Sequence, residues 1–516
     1  MMKVTRYISN NAELAPISSG SATLIFPFLA VSAVLLAHGI NTVGLTMGEH
    51  GDSGEILFKS IPAILSGHYH RSRAFGVPLY ELVAAGLFEI GGIVLVNVWS
   101  LILAIGSLFI FGLMLGRSLP LVWYFLGLAA FALNPIFLTN STTPIEWMQA
   151  VFLQLCLLWA AERYTDDPNT VSAVSFSTLS AACILTRPDL VWVCVPVFLT
   201  VAWLLRRRWV AVVVLGAVSA IAAIITASIF FTINVSHELS LTAITYRDGG
   251  TLPHRLALAI GYILALFGPV GLIAAVLCSK SIAMTAWRES DKLRFPVALF
   301  VVAVPFLTLR FFILPTKVEY LFPLLVIFLL AVFRELRSTS ALVLAAALVL
   351  GSVVQISLLL RSQDAADSLS FHLALNPGAI AQDIERRRQF MENYDPAFLD
   401  ALSKQIYPLE TPRPRLHPAV FFPGLISDTN DLVIGKPELY RLDNPRTALP
   451  PEVDRFGVPD YKRSSFRKIF ICDKSVAMAG WGWRVLQPLV PITFLNRETG
   501  RLNTICGEEK IGRMDE

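Results

Sequence analysis

The sequence predicts an all-α polytopic membrane protein of about eleven transmembrane helices, followed by a mixed α/β domain outside the membrane. Three observations support this fold class. The 516 residues are 55% hydrophobic and only 16% charged, whereas soluble domains carry roughly 25% charged residues. Several apolar runs reach the ~20 residues that cross a bilayer core. Helices are expected there, because they satisfy their own backbone hydrogen bonds in lipid.

The first span is predicted at Ser21–Val43. It is too long for the apolar region of a signal peptide, so we expect an uncleaved anchor with Lys3 and Arg6 in the cytoplasm. The later spans are predicted at Ile93–Gly116, Leu119–Leu138, Trp147–Ala161, Val171–Leu185, Leu190–Leu205, Trp209–Ile233, Leu256–Cys278, a ninth ending near Arg310, Tyr320–Phe333 and Ala341–Leu360.

Basic residues determine the predicted orientation. The eleven-span arrangement puts a Lys or Arg on every cytoplasmic face, including Arg206-Arg207-Arg208, as the positive-inside rule requires. Counting Pro78–Ile90 as an extra span would move these residues outside. We therefore predict that Gly54–Leu65 and Pro78–Ile90 are amphipathic helices at the membrane surface.

The composition changes at Arg361, which divides the chain into a transmembrane module, residues 1–360, and an extracytoplasmic domain, residues 361–516. In the second part, Asp364–Leu402 is predicted to be helical and Phe466–Ile505 to contain short strands. Cys472 and Cys506 lie in this domain and could form a disulfide in an oxidising compartment. No cysteine and histidine spacing predicts a zinc site, and no Gly-rich phosphate loop follows a strand. The net charge of +4 gives no sign of nucleic-acid binding.

The first outer loop, residues 44–92, carries the motif on which a family resemblance rests. Gly51-Asp52-Ser53-Gly54-Glu55 is followed by a His-containing turn, by Pro78-Leu79-Tyr80 and by a short amphipathic helix. This arrangement resembles the glycosyltransferases of the GT-C fold, and among them the protein O-mannosyltransferase-like (PMT/ArnT-type) families with a "GDSGE … HPPGYPL" loop. The resemblance covers about residues 20–340. The chain departs from the motif between His70 and Leu79, which leaves the sugar and the acceptor open.

Asp52 is the main candidate for catalysis. Transfer from a lipid phosphate-sugar to a hydroxyl needs a base near the acceptor oxygen and donors on the departing phosphate. A carboxylate just past the end of a span can be that base; the alternative is a helix cap formed by Asp52. Glu55 has a supporting or metal-binding role or simply suits the helix dipole. His70, Arg71, Arg73 and Tyr80 are expected to bind substrate, although the two arginines could also anchor the loop at the interface.

Glu146 is the second candidate carboxylate. Pro144-Ile145-Glu146-Trp147 resembles the family's short "AEVY" segment and lies on the same side as Asp52. Ionisable groups at span ends mark functional sites. The alternative is that Thr142 or Thr143 caps the fourth helix and Glu146 is simply an acid in its first turn. Arg187 and Asp189 interrupt an apolar run at Thr186-Arg187-Pro188-Asp189. Arg187 either pairs with Asp189 or binds a lipid phosphate.

Arg310, Lys317 and Tyr320 lie around another outer turn, in which Tyr320-Leu321-Phe322-Pro323 resembles the "Y-L-x-P" turn of the same enzymes. Arg310 lies deeper in its span and would need an anionic partner, for which a phosphate is one candidate. Lys317 binds the same phosphate or extends to lipid head groups.

Together these features predict an integral-membrane glycosyltransferase of the bacterial inner membrane, which moves a sugar from a polyprenyl-phosphate donor to an extracytoplasmic protein, lipid or glycan. Asp52, Glu55 or Glu146 could bind Mg²⁺ or Mn²⁺. A lipid-linked glycan polymerase or ligase, and a flippase or transporter of lipid-linked sugars, remain alternatives. Arginine and histidine would dominate the catalytic loop of the former. Helices broken at mid-membrane and repeated halves would favour the latter, and the sequence predicts neither.

Overall fold

The computed structural model describes residues 20–45, 56, 60–67, 69, 71–72, 76–116, 119–231, 252–288, 293–313, 318–362, 369–377, 380–381, 384, 466–471, 475–479, 485–486, 492–496 and 502–504. The helices in these ranges are α1 (Gly20–Thr42), α2 (Ile61–Leu65), α3 (Pro78–Leu115), α4 (Leu121–Ala132), α5 (Pro135–Asn140), α6 (Trp147–Asp166), α7 (Thr170–Thr186), α8 (Val191–Leu204), α9 (Trp209–Phe230), α10 (Leu252–Arg288), α11 (Phe295–Ile313), α12 (Phe322–Glu335) and α13 (Thr339–Val353). Short 3₁₀ turns cover Pro188–Leu190, Arg206–Arg208 and Val318–Leu321.

The described part of the chain is mostly helical, as predicted. Five helical segments in it are long and apolar enough to cross a membrane: Leu24–Thr42, Pro78–Leu115, Arg206–Ser228, Leu266–Arg288 and Phe295–Phe312. Shorter apolar helices occur at Leu121–Ala132, Thr170–Thr186, Pro188–Leu204 and Thr339–Val353. The multi-pass class is therefore supported, and the count of eleven spans stays a prediction.

Helix α3 contains the predicted boundary between a surface helix and the second span. Its backbone leaves the helical conformation at Gly91 and Gly92, and Gly92 has φ 62° and ψ −157°. Only glycine adopts such a backbone without strain. The segment 78–90 is thus separate from the apolar segment 93–115, as the sequence predicted.

A similar break in α10 lies within the predicted eighth span. Gly268 has φ 63° and ψ 170° and is followed by Pro269, so α10 consists of two segments. The candidate span is Leu266–Arg288, which overlaps the second half of the prediction Leu256–Cys278. The position of the eighth span therefore stays a prediction.

The core of the bundle surrounds α12. Nearly every residue of this helix is buried, and its rings contact those of other helices: Phe322 stacks on Phe137, and Phe328 contacts Phe300 in a tilted arrangement. Helices α9 and α10 lie at the periphery, where many apolar side chains are exposed and Trp287 is 88% exposed. Such an apolar surface suits contact with lipid tails.

Most of the described residues after α13 form strands, which corrects two predictions in part, whereas residues 380, 381 and 384 are helical as predicted. Helix α13 ends at Val353, and β1 (Val354–Ser362) follows without a gap, so the predicted eleventh span Ala341–Leu360 is wrong in its last part. Strand β2 (Leu369–Pro377) lies where Asp364–Leu402 was predicted to be helical. Its antiparallel register with β1 pairs Val354 with Pro377.

Strands predicted between Phe466 and Ile505 are present. They are β3 (Phe466–Ile471), β4 (Ser475–Ala479), β5 (Val485–Leu486), β6 (Ile492–Asn496) and β7 (Leu502–Thr504). The strand order is β2-β1-β4-β5 in one sheet and β3-β6-β7 in the other. The sheet that begins directly after α13 therefore includes strands from the far end of the chain.

One end of the helical bundle is rich in basic residues. Arg334 binds Glu162 at 2.5 Å, and Arg294 binds Glu335 at 3.3 Å. Arg208, from the turn between α8 and α9, donates to the carbonyl of Pro168. We call this the basic end. Glu146 lies directly before the first residue of α6, at the opposite end of this helix from Glu162. A rise of about 1.5 Å per helical residue places the two residues about 24 Å apart.

Candidate functional site

Four charged residues predicted one by one from the sequence meet at the end of the bundle opposite the basic end. Glu146 is the N-cap of α6, and Arg310 lies in the last turn of α11. Arg187 and Asp189 belong to the turn between α7 and α8. Arg187 is extended (φ −150°, ψ 108°), as expected for a residue that precedes a proline, and this ends α7 at Thr186.

Arg187 is the centre of this cluster. Its Nη1 donates to Glu146 Oε1 at 2.7 Å. Its Nε and Nη2 donate to the two carboxylate oxygens of Asp189 at 2.8 and 3.0 Å, which is the bidentate geometry that a guanidinium favours. Arg310 Nη2 donates to Asp189 Oδ2. We call Glu146, Arg187, Asp189 and Arg310 the four-residue ion network.

Two aromatic rings cover the guanidinium groups of the network. The Cζ atom of Arg187 lies 3.5 Å from the centre of the Trp147 ring, and that of Arg310 lies 4.3 Å from the centre of the Tyr320 ring. The two rings contact each other edge to face at 5.7 Å. A cation over an aromatic face is stabilised by about 2 kcal/mol when it is desolvated. The rings thus fix the planes of both arginines.

The network is buried except at one residue. Glu146 is 0% exposed, Arg187 6% and Arg310 8%, whereas the Asp189 side chain is 30% exposed. Gln149, one turn into α6, donates to Thr186 Oγ1 at 3.3 Å and joins the same two helix ends. A solvent or lipid molecule that approaches the network therefore meets Asp189 first.

Hydrogen bonds also bring the start of the first outer loop to this end of the bundle. Thr42, the last residue of α1, shares a hydrogen bond of 2.9 Å with Thr142. Asn97 donates to the Val43 carbonyl at 2.9 Å, and Ser100 donates to the Thr143 carbonyl at 2.8 Å. The turn before Glu146 is therefore fixed to the segment from which the loop with Asp52 leaves the membrane.

A second polar cluster lies where the first outer loop returns to α3. Glu81, in the first turn of α3, accepts hydrogen bonds from the Tyr69 hydroxyl at 2.5 Å and from the backbone N–H groups of Ser72 at 2.8 Å and Val77 at 3.3 Å. Burial and the Glu81 carboxylate raise the pKa of Tyr69 far above its ordinary value, so the phenol stays protonated as a donor. No role was predicted from the sequence for Glu81 or Tyr69.

The other predicted site residues fall into two groups. Asp52, Glu55, His70, Arg73 and Lys317 lie outside the described residues. Tyr80 is fully buried in the first turn of α3, and Arg71 is half-buried beside the Glu81 cluster. Within the described ranges, no three His, Cys, Asp or Glu side chains are grouped so that they could hold a metal ion. No role was predicted from the sequence for Trp147, whose ring covers the guanidinium of Arg187, although Trp147 directly follows Glu146.

The chain was compared with known proteins in three ways. No protein-family model and no curated protein matches it. The solved structures that are similar include two of ArnT from Cupriavidus metallidurans. The one bound to undecaprenyl phosphate shares 18% identity over 61% of this chain and 60% of its own, with a TM-score of 0.44. The apo form shares 18% identity over 62% and 61%, with a TM-score of 0.41.

The described chain thus spans about three fifths of the length of these solved structures.

Proposed function

We propose that the protein is an integral-membrane glycosyltransferase that takes a sugar from a polyprenyl-phosphate donor and transfers it to an acceptor outside the cytoplasm. The observation that supports this best is the four-residue ion network at one end of the bundle. Two arginines there lie next to two carboxylates at the ends of apolar helices. Charges in such places are rare unless they serve a substrate or ion.

The donor phosphate is assigned to Arg310. One of its Nη atoms binds Asp189 and its guanidinium lies on Tyr320, while within the described residues its Nη1 and Nε donate no hydrogen bond. A guanidinium with free N–H donors suits a phosphate oxygen. Lys317 and Tyr320, from the turn that follows α11, would bind the same group. Arg187 is fully engaged by Glu146 and Asp189, so we assign it to holding these carboxylates and place it beside the phosphate.

The reaction is a displacement at the anomeric carbon. The acceptor oxygen forms a bond to this carbon while the bond from the carbon to the phosphate oxygen breaks, with inversion. Polyprenyl phosphate leaves with the bonding electrons, and Asp52 takes the proton of the acceptor hydroxyl. Glu55 and Glu146 assist Asp52. The first outer loop supplies further substrate contacts from His70, Arg71, Arg73 and Tyr80.

Metal use is left open in this proposal. If the enzyme uses Mg²⁺ or Mn²⁺, Asp52 with Glu55 or Glu146 would hold it, because hard carboxylate oxygens are the ligands these ions prefer.

Topology supports an outward-facing site. The basic end carries Arg208, Arg294 and Arg334, and the positive-inside rule assigns such an end to the cytoplasm. The ion network would then face the periplasmic side of a bacterial inner membrane, together with the domain of residues 361–516. We assign acceptor recognition to this domain. Deletion of Arg361–Glu516 should abolish transfer and leave donor binding intact, and loss of donor binding in a folded truncation would refute that role.

The test measures transfer from radiolabelled polyprenyl-phosphate sugars to native membranes by the purified protein. We expect Asp52→Asn to lower transfer by about two to four orders of magnitude, the usual contribution of a general base. Donor binding should stay at the wild-type level. Asp166→Asn is the matched control, because Asp166 is an exposed carboxylate at the basic end of α6.

Other outcomes of this transfer assay would contradict parts of the proposal. Unchanged transfer in Asp52→Asn would remove Asp52 from the mechanism and make Glu146 the candidate base. No donor consumption by the wild-type protein, with acceptor present, would refute the glycosyltransferase, since a flippase moves lipid-linked sugars without consuming them. Growth of a lipid-linked glycan chain as the product would identify a polymerase.

A further inference from the structure

The Glu81 cluster lies apart from the four-residue ion network and uses a single carboxylate to hold three points of the first outer loop. Glu81 is 0% exposed. Its Oε1 accepts from Ser72 N, and its Oε2 accepts from the Tyr69 hydroxyl and from Val77 N. The Val77 bond caps the start of α3, whereas the other two reach back into the loop. Hydrogen bonds to a charged group are about twice as strong as neutral ones.

The two bonds into the loop bracket Arg71. Tyr69 precedes it by two residues and Ser72 follows it, so both flanks of the short segment 70–71 are tied to Glu81. The guanidinium of Arg71 is close enough to Tyr69 to lower the pKa of its phenol, against the larger effects of burial and Glu81. A buried carboxylate on the following helix therefore holds the chain on both sides of Arg71.

Close packing at Gly76 makes this arrangement specific. Gly76 has φ +64°, and a Cβ atom there would lie 2.5 Å from the Tyr69 hydroxyl oxygen and 3.2 Å from Arg71 Cβ. The Tyr69 ring also contacts Phe231, at the end of α9, edge to face at 4.9 Å. The segment that carries Arg71 is thus held between α3 and the outer end of α9.

We infer that Glu81 is a positioning residue for the donor site, which acts by fixing Arg71 where its charge meets the polyprenyl-phosphate sugar. This inference rests on the proposed function, since Arg71 is assigned there to substrate binding. A helix cap alone would need only the Val77 bond. The bonds from Tyr69 and Ser72 and the buried approach of Gly76 have no part in capping.

The kinetic test uses Glu81→Gln and Tyr69→Phe, with Glu89→Gln as matched control because Glu89 is an exposed carboxylate of the same helical segment. We expect Glu81→Gln to raise KM for the donor about tenfold, as for the loss of one charge-assisted hydrogen bond, with kcat within about twofold of wild type. Tyr69→Phe should show a smaller change in the same direction, and Glu89→Gln none.

A double-mutant cycle with Arg71→Ala separates positioning from general destabilisation. If Glu81 acts through Arg71, adding Glu81→Gln to Arg71→Ala should raise KM no further. Additive effects, or an equal fall of kcat in Glu81→Gln and in the double variant, would overturn the inference and leave Glu81 a structural residue.

A labelling experiment keeps the inference testable even if the proposed function fails. Arg71→Cys is labelled with a water-soluble thiol reagent in the wild-type and Glu81→Gln backgrounds, with the protein that lacks Arg71→Cys as blank. We expect the labelling rate to rise at least about threefold in Glu81→Gln, because the segment loses its charged anchor. Faster labelling in a protein without transfer would refute only the glycosyltransferase. Equal labelling rates and equal KM would refute the positioning role.

Discussion

Replacing Arg187 with methionine tests whether the four-residue ion network is a single energetic unit. The substitution keeps an unbranched side chain against Trp147 but removes three hydrogen bonds to two carboxylates. Glu146 is completely buried and loses its arginine. Removing one partner of a buried ion pair costs about 3–5 kcal/mol, since the remaining charge is left without compensation. We therefore expect a loss of stability in that range.

The assay is thermal unfolding of the purified protein in detergent, reported as an apparent melting temperature because unfolding of such proteins is often irreversible. Arg163→Met is the matched control. Arg163 also lies over a tryptophan, at 4.6 Å from the Trp159 ring, but it is exposed and its loss should cost about 0.5–1 kcal/mol. Adding Glu146→Gln to Arg187→Met should restore at least about 1 kcal/mol, since it removes the uncompensated charge. Equal melting temperatures for Arg187→Met and Arg163→Met, or no restoration in the double variant, would refute the reasoning.

Three further predictions concern the two clusters and the basic end. Above about pH 10 the melting temperature of the wild type should fall more steeply with pH than that of Tyr69→Phe. The pKa of Tyr69 is raised in the folded protein, so the phenol ionises first in the unfolded state and thereby favours unfolding. Parallel plots of melting temperature against pH would contradict this. Asp189→Asn should bind polyprenyl phosphate about tenfold more tightly, as measured by native mass spectrometry, because Asp189 competes with the phosphate for Arg310. Unchanged or weaker binding would show that this competition is absent. Glu162→Gln should lower stability by about 1.5–3 kcal/mol through loss of its bond to Arg334, and should leave donor affinity at the wild-type level in the same assay.

Much of the helical arrangement could be predicted because apolar length and breaker residues are visible in a sequence. Pro188 marks the end of α7, and Gly91-Gly92 marks the boundary within α3. The end of α13 could not be predicted in this way. Residues 354–360 are mostly apolar, with Gln355 and Ser357 as exceptions, and they continue the hydrophobic run of the helix. A short, mostly apolar run does not by itself distinguish a buried helix from a strand. Their partner strands lie at 369–377 and 475–479, the second more than a hundred residues away.

The site likewise has features that could be predicted from the sequence and features that could not. Glu146, Arg187, Asp189 and Arg310 could each be selected because a charge at the end of an apolar run is expensive. The pairing of Arg187 with Asp189 was one of the two alternatives predicted for Arg187, because the two residues are close in sequence. The other two bonds could not be derived, because 41 residues separate Arg187 from Glu146 and 121 separate Arg310 from Asp189. The role of Glu81 was not predictable for a different reason. Two of its three partners are backbone N–H groups, which every residue except proline carries.

The charges of the ion network cancel, so the positive charge needed to bind a phosphate has to come from the loops. The two arginines and two carboxylates that the structure describes sum to zero, so the helix ends alone do not favour an added anion. A sugar phosphodiester carries one negative charge, and polyprenyl phosphate gains more negative charge as it leaves. Stabilising that change needs surplus positive charge close to Arg310. The outer loops can supply it, because they carry the remaining cations assigned to substrate: Arg71, Arg73 and Lys317. The helices thus provide a rigid neutral frame, and correct placement of the loop cations, as Glu81 would ensure for Arg71, becomes the condition for donor binding.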